Sequence, residues 1–386
     1  MRHICSRCKL TSADGNLWCQ EIDCPAGTLP ALLRYGDYLG NLKIIQLKRV
    51  LRNTTIYKAE RSIDDKRVET FFLKVANPGA ENEQYLCEEA AALQRLCDGK
   101  AVHPALPVWR HHGATNGQDP FGIVSLRDQT RFYYLMDYIE GEFLYDTLLD
   151  NPQPWHEHVG WFMIALCEAL YYFQSATGKL HLNLNPDVIL VRRNNAGVIQ
   201  PVLLDMGLQL APDTLLLPAN VEQYQRHLLP AYTAPELIGG GRLTPMADVW
   251  ALGLILYEML AGKPAYPYAL RRTEDIYADI QKLTPVLRRV DLPRTPRGGA
   301  SANGHVVELV EVVQRAIRAD HPKRYQDVSE LRNALYTLYG ETLDRPKTDF
   351  ASLAQRAGMI IAVGAGVLFV LYILFVLISA LLRGAG

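Results

Sequence analysis

Four cysteine thiols near the start of the chain have the spacing of a tetrahedral metal site. Two residues separate Cys5 from Cys8, and four residues separate Cys19 from Cys24. Two close pairs of thiolates suit one zinc ion, and four such ligands leave no open position for catalysis. We therefore expect residues 1–28 to resemble a structural zinc ribbon. Four unrelated thiols are the alternative.

The other residues whose types could carry out chemistry lie in segments much further along the chain. They are residues 181–188 (HLNLNPDV), 203–207 (LLDMG), 233–236 (TAPE) and 247–253 (ADVWALG). In this order and spacing they resemble the C-terminal lobe of the protein kinase superfamily, and most of all the bacterial type of serine/threonine kinase. The resemblance extends over residues 43–340, because Lys74 in FFLK matches the lysine of the third strand and Glu89 matches its partner on the following helix.

The resemblance implies a two-lobed α+β fold of the protein kinase type, in agreement with strand-like segments early in the chain and helical ones later. Lys74, Glu89 and Asp205 are remnants of the site that binds nucleotide and metal in that family. A stabilising ion pair and a turn cap are the alternative explanations for them. The matched positions that bear on structure are His181, Met206, Glu236, Asp248 and Arg324.

The positions that carry catalysis in the family hold other residues here. The catalytic-loop aspartate is replaced by Asn183, whose neutral amide cannot act as a base, and loss of a general base typically costs about 10²–10⁴ in rate. The lysine that faces the transferred phosphate is replaced by Asn185. The asparagine that binds magnesium is replaced by Val188, which offers no oxygen ligand. We therefore expect no catalytic residue among these three.

The nucleotide-binding positions have changed as well. Arg49, Leu51 and Thr54 stand where the family has three glycines, which let backbone N–H groups approach phosphates closely. Phe72 stands where a small alanine usually contacts the adenine ring, and its own ring could fill that space. The remaining pocket positions are Ile56, Met136, Tyr138 and Leu190. These changes predict that magnesium-dependent ATP binding is absent.

Sequence periodicity indicates the elements that position these residues. The strand-like runs are residues 43–47, 55–60, 69–75 and 132–138, and the helix among them is residues 82–96. The predicted domains are a zinc module at 1–28, a linker at 29–42, a kinase-like domain at 43–340, a tether at 341–356 and a transmembrane helix at 357–382.

Charge and hydropathy limit the classes of function. The 386 residues include 40 Lys+Arg and 41 Asp+Glu, and the net charge of -1 argues against nucleic-acid binding, which needs a basic field. Residues 357–382 carry no charged side chain. As a helix of about 39 Å they would cross a hydrocarbon core of about 30 Å, and a buried core helix is the alternative. Because Arg345, Lys347 and Arg356 precede this segment and only Arg383 follows it, we expect a tail-anchored, single-pass protein with cytoplasmic N-terminal domains.

Small residues recur every four positions in the predicted span, at Gly358, Ala362 and Gly366. Small residues at this spacing let two helices approach closely in lipid, so they predict a homodimer through the span. The alternative is a chance occurrence of residues that are common in membrane helices.

The retention of structural residues beside the loss of catalytic ones predicts a particular function. We expect a membrane-anchored cytoplasmic pseudokinase, not an enzyme, that binds protein partners as a scaffold or allosteric regulator in signalling. One alternative is an atypical ATP-dependent serine/threonine kinase that uses Lys74 and Asp205 with a relocated base. The other is a purely structural assembly protein.

Overall fold

The computed structural model describes most of the chain from residue 32 to residue 339 and a few residues before it. The described residues are 5, 10–12, 19, 32–64, 67–98, 102–113, 117–154, 156–193, 198–288, 291–292 and 305–339. They form a small lobe that is mainly β-sheet and a large lobe that is mainly helical. The expected two-lobed α+β architecture is confirmed.

An antiparallel sheet forms most of the small lobe. Its strands are β1 (Tyr38–Leu39), β2 (Leu42–Val50), β3 (Thr54–Asp64), β4 (Arg67–Ala76), β5 (Trp109–Arg110), β6 (Gly122–Leu126) and β7 (Gln129–Asp137). The strand order is β1-β2-β3-β4-β7-β5, and β6 also pairs with β7. Alternating apolar residues of these strands, among them Ile44, Tyr57 and Leu135, pack into one buried cluster, as expected for a sheet with one covered face.

One long helix, α1 (Ala80–Cys97), packs against the small-lobe sheet. It begins after Gly79, whose φ of 124° favours glycine, and its first turn contains Glu81 and Glu83, which interact favourably with the helix dipole. Leu86, Glu89 and Leu93 lie on its buried face at helical spacing. This helix therefore places a carboxylate inside the protein, facing the sheet.

The range predicted as a linker contributes to the folded small lobe. Leu33 and Leu39 are buried in the small-lobe core, and the Leu33 N–H donates to the Tyr57 hydroxyl over 3.0 Å. Strand β1 pairs with β2 within the same region. The folded structure thus begins upstream of Lys43, because these leucines cover apolar side chains that would otherwise face water.

The large lobe contains a three-stranded sheet, a two-stranded sheet and most of the helices. The strands are β8 (Glu142–Phe143), β9 (Ile189–Arg193), β10 (Ile199–Leu203), β11 (Leu215–Leu216) and β12 (Gly241–Arg242). The helices are α2 (Leu144–Asp150), α3 (His156–Thr177), α4 (Pro218–Gln225), α5 (Pro235–Gly239), α6 (Met246–Ala261), α7 (Thr273–Lys282), α8 (His305–Ala316) and α9 (Val328–Tyr339). Helix α6 is buried along almost its whole length, so it forms the centre of this lobe.

A short N-terminal stretch packs on the large lobe. Leu10, Thr11 and Ser12 are buried, and the Leu270 N–H donates to the Thr11 carbonyl oxygen over 2.9 Å. Thr11 also forms a parallel β-bridge with Ala269. This stretch is therefore held by backbone hydrogen bonding and by burial.

The two ends of the chain fall largely outside the described residues. Neither the predicted tether nor the predicted transmembrane helix at 357–382 is described. Among the helices that are described, none is both long enough and apolar enough to span a bilayer.

Candidate functional site

Three charged side chains meet where the small-lobe sheet, helix α1 and the end of β10 come together. Lys74 on β4 places its Nζ 2.6 Å from Oε1 of Glu89 on α1 and 2.7 Å from Oδ2 of Asp205. All three side chains are almost completely buried. The three predicted remnants are thus brought together as one cluster, which we call the Lys74 cluster.

Further donors complete the Lys74 cluster. Oδ1 of Asp205 accepts hydrogen bonds from the Tyr85 hydroxyl at 2.9 Å and from the Gly207 N–H at 2.8 Å. Oε1 of Glu89 also accepts the Met206 N–H at 2.9 Å. Sequence reasoning missed Tyr85, although it lies one turn before Glu89 on α1 and therefore shares its face of the helix.

Burial and mutual attraction set the ionisation of the Lys74 cluster. Burial raises the pKa of Glu89 to about 7, and the charge of Lys74 only partly opposes this effect. Burial alone would also raise the pKa of Asp205, but the adjacent Lys74 ammonium holds it below its usual value. Burial disfavours the charged form of Lys74, yet Asp205 and Glu89 together raise its pKa. Asp205 therefore keeps its charge, while Glu89 is the group that titrates near neutral pH.

Asp248 of helix α6 fixes the backbone of the loop 181–188. Its carboxylate accepts the N–H of His181 at 2.8 Å and the N–H of Leu182 at 2.6 Å. Leu182 has a φ of 64°, a left-handed conformation that a leucine rarely adopts and that these bonds sustain. His181 hydrogen-bonds through Nε2 to the Asp205 carbonyl oxygen at 2.8 Å, so the loop is tied to the Lys74 cluster.

Residue 207, two positions after Asp205, must be a glycine. Gly207 has a φ of 68°, and a Cβ at this residue would lie 1.9 Å from the His181 carbonyl oxygen. Neither the backbone conformation nor the available space admits a side chain here.

The three replaced catalytic positions lie together on the loop 181–188. The side-chain Nδ2 of Asn185 donates to the Asn183 carbonyl oxygen at 2.9 Å, and the side-chain Oδ1 of Asn185 accepts the Asp187 N–H at 3.0 Å. Val188 is buried. Asn183 and Asn185 nevertheless line a small cavity together with Asp187 and Asp205. Side chains that carry oxygen atoms therefore still line this cavity.

Arg49 fills the space between the lobes. It is 1% exposed and its guanidinium forms an ion pair with Asp146 of α2, while Nη1 lies 3.2 Å from Oδ1 of Asp187. The guanidinium carbon is 4.6 Å from the centre of the Phe143 ring and 5.8 Å from that of Tyr145. Because Arg49 belongs to the small lobe and all four partners to the large lobe, this contact closes the cleft. Neither Asp146 nor Asp187 was predicted as a site residue.

The other predicted pocket positions are buried or packed against one another. The rings of Phe72 and Tyr138 lie 4.8 Å apart at 52°, and Phe72 is completely buried. The remaining positions that are buried beside the cleft are Leu51, Thr54, Ile56, Met136 and Leu190. A cavity of about 20 Å³ lies between the turn that joins β2 to β3 and the loop 181–188, and it has room for about one water molecule.

A second buried arginine anchors the large lobe. Arg324 places Nη1 2.7 Å and Nη2 3.0 Å from the two carboxylate oxygens of Glu236, and its guanidinium carbon lies 4.8 Å from the centre of the Trp250 ring. It also donates to the carbonyl oxygens of three residues, namely Arg318, Ala319 and Met246. This pair links the start of α5 to the region just before α9.

Only part of the predicted zinc module can be placed. Cys5 is buried and Cys19 is partly buried, whereas Cys8 and Cys24 lie outside the described residues. Within the described part of the chain, no group of three or more His, Cys, Asp or Glu side chains could hold a metal ion.

The sequence model of the protein kinase domain matches residues 121–336, which is more than half of the chain. The chain belongs to the protein kinase family. It is 27% identical over 298 residues to the serine/threonine-protein kinase PknD of Chlamydia pneumoniae, a match that covers 67% of this kinase-family chain and 30% of the relative. It is 29% identical over 242 residues to the serine/threonine-protein kinase PknB of Mycolicibacterium smegmatis, covering 60% of this chain and 34% of that one. This chain therefore spans about a third of the length of these relatives.

Solved kinase structures share the fold. A double mutant of the kinase domain of Mycobacterium tuberculosis PknI matches with a TM-score of 0.50 and 16% identity. That match covers 80% of this chain and 99% of the other. At this identity the similarity shows the kinase fold alone.

The expectation that the chain is not an enzyme is wrong. The protein kinase domain is present and the relatives are named serine/threonine-protein kinases, which points to a kinase enzyme. The prediction relied on the replaced residues of the catalytic loop and of the glycine positions, but phosphoryl transfer depends mostly on positioning and charge stabilisation. The charged side chains of Lys74, Glu89 and Asp205 meet in one buried cluster.

The arrangement of residues in this chain does not fit ATP and magnesium as it stands. Ligand pockets enclose about 300–1,000 Å³, far more than the cavity of about 20 Å³ beside Asn183 and Asp205. Arg49 and the Phe72 ring occupy the surrounding space, and both carboxylate oxygens of Asp205 already accept hydrogen bonds. Nucleotide would require the two lobes to separate at Arg49.

Proposed function

We propose that this chain is an atypical ATP-dependent serine/threonine protein kinase whose cleft is closed in the conformation described. The observation that carries the proposal is the Lys74 cluster, with Nζ of Lys74 within 2.7 Å of both carboxylates. A buried ammonium between two carboxylates on three separate elements is costly to assemble. The membership of the kinase family and the names of the relatives support the same activity.

The residues of the loop 181–188 define how such a kinase would differ from its relatives. Asn183 can hydrogen-bond to a substrate hydroxyl and orient it, but its amide cannot accept the proton. Asp187 lines the same cavity and offers the nearest carboxylate on this loop. We therefore expect a rate about 10²–10⁴ below that of a kinase with a catalytic aspartate.

A phosphotransfer assay on the full-length chain tests the proposal. The assay uses labelled ATP with Mg²⁺ or Mn²⁺, and follows both autophosphorylation and a generic protein substrate. Lys74→Met and Asp205→Asn should abolish transfer. Lys43→Met changes a lysine of the same sheet that lies near the Tyr35 ring, outside the cleft, and should keep the wild-type rate. Equal labelling in all four proteins, or none in the wild type at saturating ATP with either metal, would contradict a kinase activity.

We also propose that Cys5, Cys8, Cys19 and Cys24 bind one structural zinc ion. Their spacing supports this, since two close thiolate pairs suit tetrahedral zinc. Elemental analysis of the purified chain should find one zinc per chain, and replacing any one cysteine with serine should release or weaken it. Zinc well below stoichiometry in the wild type would contradict the site.

For the C-terminal region, we propose a single transmembrane helix at residues 357–382 with the kinase on the cytoplasmic side, and a homodimer through Gly358, Ala362 and Gly366. The uncharged stretch and the spacing of its small residues support this. Crosslinking of the full chain in membranes should fall in Gly366→Ile and persist in Leu371→Ile. Equal crosslinking in the wild type and in both variants would contradict the homodimer and leave the helix as a membrane anchor only.

A further inference from the structure

The turn between β2 and β3 is bonded firmly to the small lobe. Its residues 49–54, which we call the lid, cover the small cavity beside Asn183. The Asn77 side-chain amide donates to the Leu51 carbonyl oxygen at 2.9 Å, and the Asn77 N–H donates to the Asn53 carbonyl oxygen at 2.8 Å. The lid therefore has a defined conformation that is held by the small lobe.

The lid is also bonded to the large lobe beside α4. Nη1 of Arg52 donates to the carbonyl oxygens of Gln225 and Arg226 at 3.5 Å and 3.3 Å. The Asn53 side-chain oxygen lies 2.8 Å from Nδ1 of His227. These contacts hold the tip of the lid, whereas the ion pairs of Arg49 hold its base.

Arg49 forms two ion pairs, but two of its guanidinium nitrogen atoms make no aligned hydrogen bond to the described residues. Its ion pairs with Asp146 and Asp187 join the two lobes inside the protein, where attraction between charges is least screened. Its Nε has no hydrogen-bond acceptor among the described residues, and Nη1 faces Asp187 without hydrogen-bond alignment. Asp146 is 35% exposed, so water reaches one side of the contact. Such a contact can hold the cleft shut and still be broken.

We propose that Arg49 is a lock that keeps the lid closed over the nucleotide site, and that nucleotide is excluded by this lock. The ligand behind it would be a nucleoside triphosphate with a divalent cation. The inference rests on the proposed kinase function and assigns its regulation: whatever neutralises or displaces the Arg49 guanidinium opens the cleft. Loss of the three glycines is then part of a switch in this chain.

The strength of the lock sets the expected gain in affinity. A closed form that outnumbers the open form by about 10 to 1 weakens the apparent affinity of a ligand of the open form by about tenfold. Removing the lock restores that factor without any new contact to the ligand. We therefore expect the apparent Kd for ATP with Mg²⁺ to fall about tenfold in Arg49→Ala.

The experiment compares the full chain with Arg49→Ala and with a matched control, Arg61→Ala. Arg61 is also a small-lobe arginine that pairs with a carboxylate, Glu69, and its guanidinium carbon lies 4.8 Å from the Phe71 ring centre, but it is remote from the cleft. Two quantities are measured: ATP affinity in MgCl₂, and hydrogen exchange of the lid amides. Arg49→Ala should bind about tenfold more tightly and exchange faster at residues 50–54, while Arg61→Ala should match the wild type in both.

Asp146→Asn provides a second route if Arg49→Ala folds poorly. It weakens the same ion pair from the large lobe, at a partly exposed residue, and should shift both quantities in the same direction by a smaller factor. Equal ATP affinity in wild type and both lock variants would overturn the lock. Unchanged lid exchange in Arg49→Ala would overturn it as well. Tighter binding in Arg49→Ala without phosphotransfer would leave the lock standing and contradict only the proposed kinase activity.

Discussion

Arg49 and Arg324 are both almost completely buried, and each guanidinium lies within 5 Å of an aromatic ring centre. Arg324 forms a two-pronged hydrogen-bonded pair with Glu236 and further bonds to carbonyl oxygens of the same lobe. Arg49 reaches across to the other lobe, and its Nε and Nη1 make no aligned hydrogen bond to the described residues.

The difference between these arginines indicates two roles for a buried guanidinium. When every donor is satisfied within one lobe, breaking the pair leaves a buried charge without a partner, which is very unfavourable. When the pair joins two bodies that can separate, its disruption admits water to both partners. Arg324 therefore belongs to the stability of the fold, and Arg49 to the position of one lobe against the other.

The largest effect should follow loss of Arg324. Arg324→Ala leaves Glu236, which is 7% exposed, without its counter-ion, so the free energy of unfolding should fall by about 3–5 kcal/mol. Urea unfolding of the full chain measures this. Arg315→Ala is the control, because Arg315 has an ion pair with Glu330 and lies 4.1 Å from the Tyr325 ring centre while remaining exposed. It should cost less than about 1 kcal/mol; equal losses would break the comparison.

The Lys74 cluster extends the comparison to pH. Because the pKa of Glu89 is raised from 4.5 to about 7, the folded chain holds a proton that the unfolded chain has already released in this range. The associated stability is fully present below the unfolded pKa and is lost as pH rises through the folded pKa. At 1.36 kcal/mol per pKa unit, the wild type should lose up to about 3 kcal/mol relative to Glu89→Gln between about pH 5 and pH 8.

Unfolding curves at several pH values within this range test the Glu89 prediction. Glu88→Gln alters the adjacent, exposed carboxylate of α1 and should keep the wild-type pH profile. If Glu89→Gln and the wild type run parallel across the whole range, Glu89 does not titrate there.

A smaller loss should follow removal of the Tyr85 hydroxyl. Tyr85→Phe deletes one of the two donors to Oδ1 of Asp205, which keeps the Gly207 N–H. A hydrogen bond to a charged group contributes about 1.5–3 kcal/mol, so the free energy of unfolding should fall by about 2 kcal/mol. Tyr171→Phe, at an exposed tyrosine, should have no measurable effect. If Tyr85→Phe leaves the free energy of unfolding unchanged, Asp205 does not need the hydrogen bond from the Tyr85 hydroxyl.

The smallest stability effect should follow loss of Arg49, despite its burial. In Arg49→Ala the cleft can open and hydrate Asp146 and Asp187, so the loss approaches that of an exposed ion pair, about 1 kcal/mol. The measurement is the same urea titration used for Arg324→Ala. A loss as large as that of Arg324→Ala would show that Arg49 is part of the structural core, and the distinction between the two arginines would disappear.

Much of the fold could be predicted because it depends on local patterns and on motifs in a fixed order. The strands at 43–47, 55–60 and 69–75 and the helix at 82–96 fall within observed elements, and the strand at 132–138 overlaps β7. The partnership of Lys74 with Glu89 followed from the family resemblance. The contact of Arg49 with Asp146 could not be predicted, because it joins residues 97 positions apart through a rotamer that only the closed lobes define.

The contacts made by the replaced residues of the site could not be predicted either, for a physical reason. Residue types at the glycine positions indicate what is missing, but they do not indicate which carboxylates a new arginine will meet. Tyr85 carried a usable signal in its spacing from Glu89. Asp187 and Asp146 carried none, since their importance depends on the distance between two lobes.

The docking of Leu10–Ser12 on the large lobe has a consequence for how this protein should be produced. A recombinant chain that starts at Lys43, where the kinase resemblance begins, would lack the backbone acceptor for the Leu270 N–H and the side chains packed near Ala269. It would also lack Leu33 and Leu39 from the small-lobe core. Newly exposed apolar surface and an unpaired strand edge favour aggregation. Soluble yield should therefore depend on retaining residues far upstream of the recognisable kinase motifs.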